Sequence, residues 1–165
     1  MRTVVAVVAV LVLGGCSAPE EPAPQNKACG SPVRNDALPE WARAGFSGDG
    51  AGPPHVYGAA GDILAVVFGA PLSSPPENGR NNKILWVSRP PITGDPLLVT
   101  AQLDGSTRTV EQQVGGGPGP SVIDVPEAGC WRFTLRWSGF TDTMELVYQK
   151  PTAGTPSARS RPPSS

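Results

Sequence analysis

Turn-forming residues divide most of this chain into short apolar runs, and this division limits the fold more than any other feature. Twenty glycines and twenty prolines are spread through the 165 residues. Short runs bounded by Gly, Pro, Asn or Asp are typical of strands joined by turns. The pattern predicts an all-β protein, a single antiparallel β-sandwich of about eight strands, near 55–58, 62–69, 83–89, 96–103, 107–114, 121–125, 130–138 and 142–149.

The last two strands predict a hairpin. Gly139-Phe140 fits a two-residue turn of type II′, in which glycine comes first. That turn sets Trp137 opposite Asp142 and Thr134 opposite Glu145. Because side chains alternate along a strand, the large apolar residues then share one face. The other face, with Cys130 at its end, carries polar side chains and one valine: Arg132, Thr134, Arg136, Thr143, Glu145 and Val147.

Two further patterns concern the middle of the domain. Asp104-Gly105 favours a type I′ turn, which sets Val99 opposite Val110. The run 62–68 is apolar without alternation. Such a run predicts a central strand covered on both faces, here by the amino-terminal segment.

The amino end predicts export. Arg2 precedes an uncharged apolar run from Val4 to Leu13, and small residues follow. This order is that of a secretory signal, assigned to residues 1–15. The run is too short to cross a bilayer as a helix, which needs roughly 20 residues.

The sequence Leu13-Gly14-Gly15-Cys16 resembles the lipobox of bacterial lipoproteins. The resemblance covers only the amino end of the chain. It implies that Cys16 is lipidated with acyl chains such as palmitate and becomes the first mature residue. It also implies that the protein is held at the extracytoplasmic face of the cell membrane. The alternative is an ordinary cleaved signal in which Cys16 is incidental.

The rest of the chain divides into three segments. Residues 16–28 form a proline-rich linker, 29–150 the β-sandwich domain, and 151–165 a tail of Pro, Ser, Thr, Ala and Arg. The linker and the tail have no large apolar side chains to bury, so both are predicted to be disordered. Removing Arg2 with the signal leaves 12 of 13 basic residues against 14 acidic ones. This balance gives no electrostatic reason to expect nucleic acid as a partner.

Two cysteines remain after Cys16. In an exported protein, Cys29 and Cys130 are expected to form a disulfide. The alternative is a metal or redox pair, which needs further ligands.

The stretch Pro126-Glu127-Ala128-Gly129-Cys130-Trp131 resembles the opening of a late strand in actinobacterial-type lipoproteins with immunoglobulin-like domains. The resemblance implies that fold and an envelope location, but no activity. Cys29 and Cys130 are too far apart for the immunoglobulin pattern of two closer cysteines with a tryptophan between them.

The residue types argue against catalysis. His55 is the only histidine, and no serine lies in a Gly-x-Ser-x-Gly elbow. Copper and zinc sites need more histidine or free thiolate ligands than this chain has. The glycine-rich stretch 115–120 lacks the Lys and Ser/Thr of a phosphate loop. We therefore expect no enzyme, no metal and no cofactor, although a pair of carboxylates acting on a glycan stays open.

Candidate contact residues are few. Trp41, within a short helical turn near 38–43, could stack on a sugar or dock a partner; alternatively, Leu38 and Trp41 close one end of the sandwich. Arg132 and Arg136, together with the other arginines, form either a basic patch or scattered solvated charges: Arg80, Arg89 and Arg108.

The leading hypothesis is a non-catalytic binding or structural module of the cell envelope, whose partner is an envelope protein or a cell-wall polymer. The second is a carrier of an apolar ligand. A carrier requires a large cavity lined by internal apolar residues: Val67, Trp86, Phe133 and Leu146. A carboxylate-based hydrolase ranks third.

Overall fold

The computed structural model describes residues 30–46 and 52–151 as two packed β-sheets and one 3-10 turn, Glu40–Ala42. The strands are β1 His55–Tyr57, β2 Ile63–Val67, β3 Leu72–Ser73, β4 Lys83–Ser88, β5 Leu97–Leu103, β6 Thr109–Val114, β7 Pro120–Val122, β8 Gly129–Trp137 and β9 Phe140–Gln149. One sheet has the order β1-β2-β4-β7, the other β3-β9-β8-β5-β6. Both are antiparallel except where β3 pairs with β9.

The all-β prediction is confirmed, but the described residues form nine strands instead of about eight. The additional strand, β3, contains only Leu72 and Ser73 and runs parallel to β9. Its length explains why no periodic pattern predicted it, since a strand of two residues cannot show alternation. A wholly antiparallel sandwich was therefore wrong at this edge.

The core lies between the sheets and is aromatic at its centre. Trp86 of β4 faces Phe133 of β8 with ring centroids 6.2 Å apart, and Phe133 stacks on Tyr148 of β9 at 6.5 Å. These side chains and Trp131 are at most 1 % exposed. Burial on this scale is the main stabilising term of such a domain.

Strand β2 is the central strand that the unbroken apolar run predicted. All five residues of Ile63–Val67 are buried. Ile63, Ala65 and Val67 face the other sheet, whereas Leu64 and Val66 pack outward against Leu38 and Ala42. The amino-terminal segment thus covers the second face of this strand, as expected.

The β8–β9 register differs from the prediction by two residues. The turn is Ser138-Gly139, with φ of 46° and 82°, and Trp137 pairs with Phe140 instead of Asp142. Two consecutive positive φ values are the geometry of a type I′ turn, which places glycine second. Because side chains repeat every two residues, the shift leaves the faces as predicted. It does change partners: Thr134 lies opposite Thr143, not Glu145.

The β5–β6 hairpin also differs. Ala101 lies opposite Val110, and Val99 opposite Gln112. A type I′ turn needs positive φ at both central residues, but Gly105 has φ of 68° while Asp104 is not among the positive-φ residues. The connection is accordingly longer than two residues, and Ser106 N–H bonds the carbonyl of Leu103 at 3.2 Å.

Residues 30–36, here called the N-terminal strap, connect the two sheets along one side. Ser31 donates its N–H to the carbonyl of Glu145 on β9, and its hydroxyl accepts the N–H of Glu145, both at 2.9 Å. Arg34 exchanges two backbone hydrogen bonds with His55 on β1. The strap therefore lies along the edges of β9 and β1.

Candidate binding faces

The outward side of the five-stranded sheet is a mostly polar surface, which we call the outer face. The register places its side chains in neighbouring rows across four strands. It consists of residues from β5 and β6, Leu98, Thr100, Gln102, Thr109, Glu111 and Gln113, and from β8 and β9, Arg132, Thr134, Arg136, Thr141, Thr143, Glu145 and Val147.

Arg132 and Arg136 both lie on the outer face, but their surroundings differ. Arg132 forms an ion pair with Glu145, with Nη2 and Oε1 3.2 Å apart. Arg136 is exposed and forms no ion pair with any described residue. Its cross-strand neighbours are Leu98, which is 41 % exposed, and Thr141. Arg136 is thus the arginine available to a partner on this face.

Trp41 lies on the opposite side of the sandwich. It belongs to the 3-10 turn that covers β2, and its ring meets Tyr57 edge-on at 6.5 Å. With buried Leu38 it covers the outward face of the four-stranded sheet rather than one end of the sandwich, so that expectation was wrong. Trp41 remains half-exposed. It cannot join Arg132 and Arg136 in one site.

Tyr57 and Arg34 form a contact that the sequence did not reveal. Cζ of Arg34 lies 5.1 Å from the centre of the Tyr57 ring, a cation–π distance. Together with Trp41 they form a small aromatic cluster beside the strap. Alternation along β1 points Tyr57 away from the core, but no local signal identified Arg34 as its partner.

The interior leaves little room for a ligand. The four residues expected to line a carrier cavity are at most 5 % exposed and belong to the packed core: Val67, Trp86, Phe133 and Leu146. Two of these four residues, Val67 and Leu146, do line an apolar pocket beneath the strap, but its volume is only about 130 Å³. Pockets that hold small-molecule ligands usually measure about 300–1,000 Å³.

His55 lies on edge strand β1 and is fully buried. Its Nδ1 is 3.0 Å from the carbonyl oxygen of Pro53, so Nδ1 donates. Nε2 has no hydrogen bond and lies 3.6 Å from Oδ1 of Asp36. Among the described residues, no hydroxyl is bonded to this imidazole.

Two buried oxygen groups have structural partners. The carboxylate of Asp142, on β9, accepts backbone N–H bonds from Ala60, Asp62 and Thr143 at 2.7–3.1 Å. Tyr148 donates its hydroxyl to the carbonyl of Ile123 at 2.8 Å, and burial, with a smaller contribution from the nearby Asp124 charge, raises its pKa. Both groups are thus hydrogen-bonded to backbone groups of the protein itself.

Residues 30–46 and 52–151 bring no three His, Cys, Asp or Glu side chains together in a way that could hold a metal ion. Within the same ranges, no helix has the length and apolarity to cross a membrane.

Cys130 lies on β8 opposite Val147, on the outer face, as alternation predicted. Cys16, Cys29, the signal, the linker and residues 152–165 of the tail lie outside the described residues. Lipidation and the disulfide therefore stay predictions. Comparisons with protein-family models, curated proteins and solved structures gave no match.

Proposed function

We propose that this protein is a lipid-anchored module of the cell envelope that binds a partner through the outer face. The observation that carries the proposal is the difference between the two sheets. The chain covers the four-stranded sheet with its own Leu38 and Ala42. The outer face presents Arg136, which has no ion-pair partner within 30–46 and 52–151, beside exposed Leu98. Arginine beside apolar side chains is common in protein interfaces.

We further propose an immunoglobulin-like arrangement for the sandwich. The strand order β9-β8-β5-β6 corresponds to G-F-C-C′ of a variable-type immunoglobulin sheet. The hairpins β5–β6 and β8–β9 join neighbouring strands of this sheet in the same way. The cysteine spacing still departs from that family.

Binding is favoured over the two alternatives. A carrier of an apolar ligand needs more space than the 130 Å³ pocket beneath the strap offers. A carboxylate hydrolase needs two acidic groups facing one cleft. The buried carboxylate of Asp142 instead accepts hydrogen bonds from three backbone N–H groups. The partner proposed for the outer face is an envelope protein or a cell-wall polymer.

Crosslinking on intact cells tests the binding face. A photo-crosslinking residue at Gln102, exposed on the outer face, is expected to capture a partner. Adding Arg136→Ala should lower that capture about tenfold, the effect of losing roughly 1.4 kcal/mol at a contact that matters. The matched control is Lys150→Ala, which removes one exposed positive charge beyond β9. Equal capture by both variants would contradict the proposed face.

The anchor has its own test. Mass spectrometry of the membrane-extracted protein is expected to find acyl chains on Cys16 at the amino terminus. Cys16→Ser should move the protein from the membrane to the soluble fraction, because multiple acyl chains supply the stable attachment. An unmodified terminus at another residue would exclude the lipoprotein assignment while leaving the binding face untouched.

A further inference from the structure

Strand β6 ends the five-stranded sheet with an open edge. Leu103 N–H bonds the carbonyl of Arg108 at 3.1 Å, so even-numbered residues of the strand direct their backbone groups toward β5. The N–H and C=O groups of Thr109, Glu111 and Gln113 point the other way. No described residue forms a backbone hydrogen bond with them.

The other edges are shorter or shielded. The free side of β9 bonds Ser31 of the strap and Ala59 of the β1–β2 loop, besides β3. β1 bonds Arg34 of the strap, and β7 has three residues, beginning at Pro120. Six-residue β6 contains neither proline nor lysine, the residues that commonly protect an edge.

The charges of β6 favour one way of pairing with an identical strand. An antiparallel pair about a two-fold axis at Gln112 sets Glu111 opposite Gln113 of the other copy. The outward backbone groups of these two residues then form about four hydrogen bonds across the axis. A register centred on Glu111 would set two carboxylates against each other, which is destabilising.

The same register also pairs the apolar side chains on the inner side of the strand. Val110, which is half-buried, would lie opposite Val114 of the other copy. Their contact removes from water the part of Val110 that the sandwich leaves exposed, which is favourable. We propose that two copies of this chain associate through β6, antiparallel about Gln112, to form one continuous sheet. This goes beyond the proposed binding function and does not depend on it.

Disulfide trapping tests the register, with the full chain carrying Cys16→Ser to remove one native thiol. Residues opposite each other without mutual hydrogen bonds have Cα atoms about 4.5 Å apart, within disulfide reach. Gln112→Cys is therefore expected to yield a crosslinked dimer at least about tenfold more readily than Gln113→Cys, which keeps Glu111 and lies opposite it rather than opposite itself. Preferential crosslinking through Gln113→Cys overturns the proposal.

Sedimentation equilibrium tests the association itself. The parent chain is expected to dimerise, and Gln113→Pro, which removes an outward N–H, should raise the dimer Kd at least about tenfold. Thermal unfolding must show that Gln113→Pro remains folded; if it does not, Gln113→Glu, which places a carboxylate opposite Glu111 of the other copy, replaces it. A chain that stays monomeric up to about 1 mM overturns the proposal.

Discussion

Replacing Asp142 with alanine is expected to lower the free energy of unfolding by about 3–5 kcal/mol. Its side chain is 3 % exposed and accepts N–H bonds from Ala60 at 2.8 Å, Asp62 at 3.1 Å and Thr143 at 2.7 Å. Alanine would leave three backbone donors without their acceptor. A buried donor left unsatisfied costs about 1–3 kcal/mol, and since these three hydrogen bonds are partly buried, the lower end of that range applies to each.

The position of Asp142 between the two sheets increases the destabilisation expected from its replacement. The residue belongs to β9 in one sheet, whereas Ala60 and Asp62 belong to the connection between β1 and β2 in the other. Its carboxylate therefore joins the two sheets at one end of the sandwich. Gly58 packs so closely that a Cβ there would overlap this carboxylate. The β1–β2 loop and the Asp142 side chain are therefore complementary in shape, and a substitution in either one disturbs the other.

Equilibrium unfolding in urea measures the effect, with two comparison variants. Asp142→Asn keeps one acceptor oxygen and should cost about half as much as alanine. Thr141→Ala, on the exposed face of the same strand, should stay within about 0.5 kcal/mol of the parent. If Asp142→Ala unfolds at the same urea concentration as Thr141→Ala, the carboxylate does not hold the sheets together.

Face assignment was predictable from the sequence, whereas register was not. Alternation sorted the residues of β8 and β9 correctly, because a side chain's face depends only on whether its position is odd or even. The register depended on whether Ser138 would adopt a positive φ, which costs energy for any residue other than glycine. Such a choice depends on the packing of both strands and leaves no local signal.

The same limit applies to the candidate binding face. Alternation placed Arg132 and Arg136 together, but only the register shows that Arg132 lies opposite Glu145. The two-residue difference between the predicted and observed β8–β9 registers therefore decides that Arg132, and not Arg136, lies opposite Glu145. The position of the strap was equally unpredictable, because the backbone hydrogen bond between Ser31 and Glu145 joins residues that are far apart in sequence.

Removing the proposed disulfide by the double substitution Cys29→Ser/Cys130→Ser is expected to lower the free energy of unfolding by about 4–5 kcal/mol, less any strain in the native bridge. The estimate follows from the loop of about 100 residues that the bridge would close in the unfolded chain. The position of the strap supports the pairing. Gly30, adjacent to Cys29, lies so near Val147 that a Cβ on it would approach Cγ2 to 2.9 Å. Val147 is the cross-strand partner of Cys130.

Thiol counting and unfolding measure this prediction together. The parent chain, denatured without reductant, should show no reactive thiol at Cys29 or Cys130, and the double variant should unfold at lower urea concentration. Reduction should destabilise the parent and leave the variant unchanged. A free thiol at either cysteine would exclude the bridge.

The proposed Cys29–Cys130 disulfide also predicts which part of the domain unfolds first. If Cys16 carries the proposed lipid anchor, the linker joins that anchor to the strap, and a pull from the membrane would reach Gly30 before the core. With Cys29 bonded to Cys130, that force is transmitted to β8, which is hydrogen-bonded to β9 on one side and to β5 on the other. Without the bridge, the strap is held by non-covalent contacts, the Gly30 bond to Glu145, the Arg34–Tyr57 cation–π contact and the backbone bonds of Ser31 and Arg34 among them. Amide exchange at Ser31 and Arg34 should therefore accelerate in the double variant more than exchange in β8.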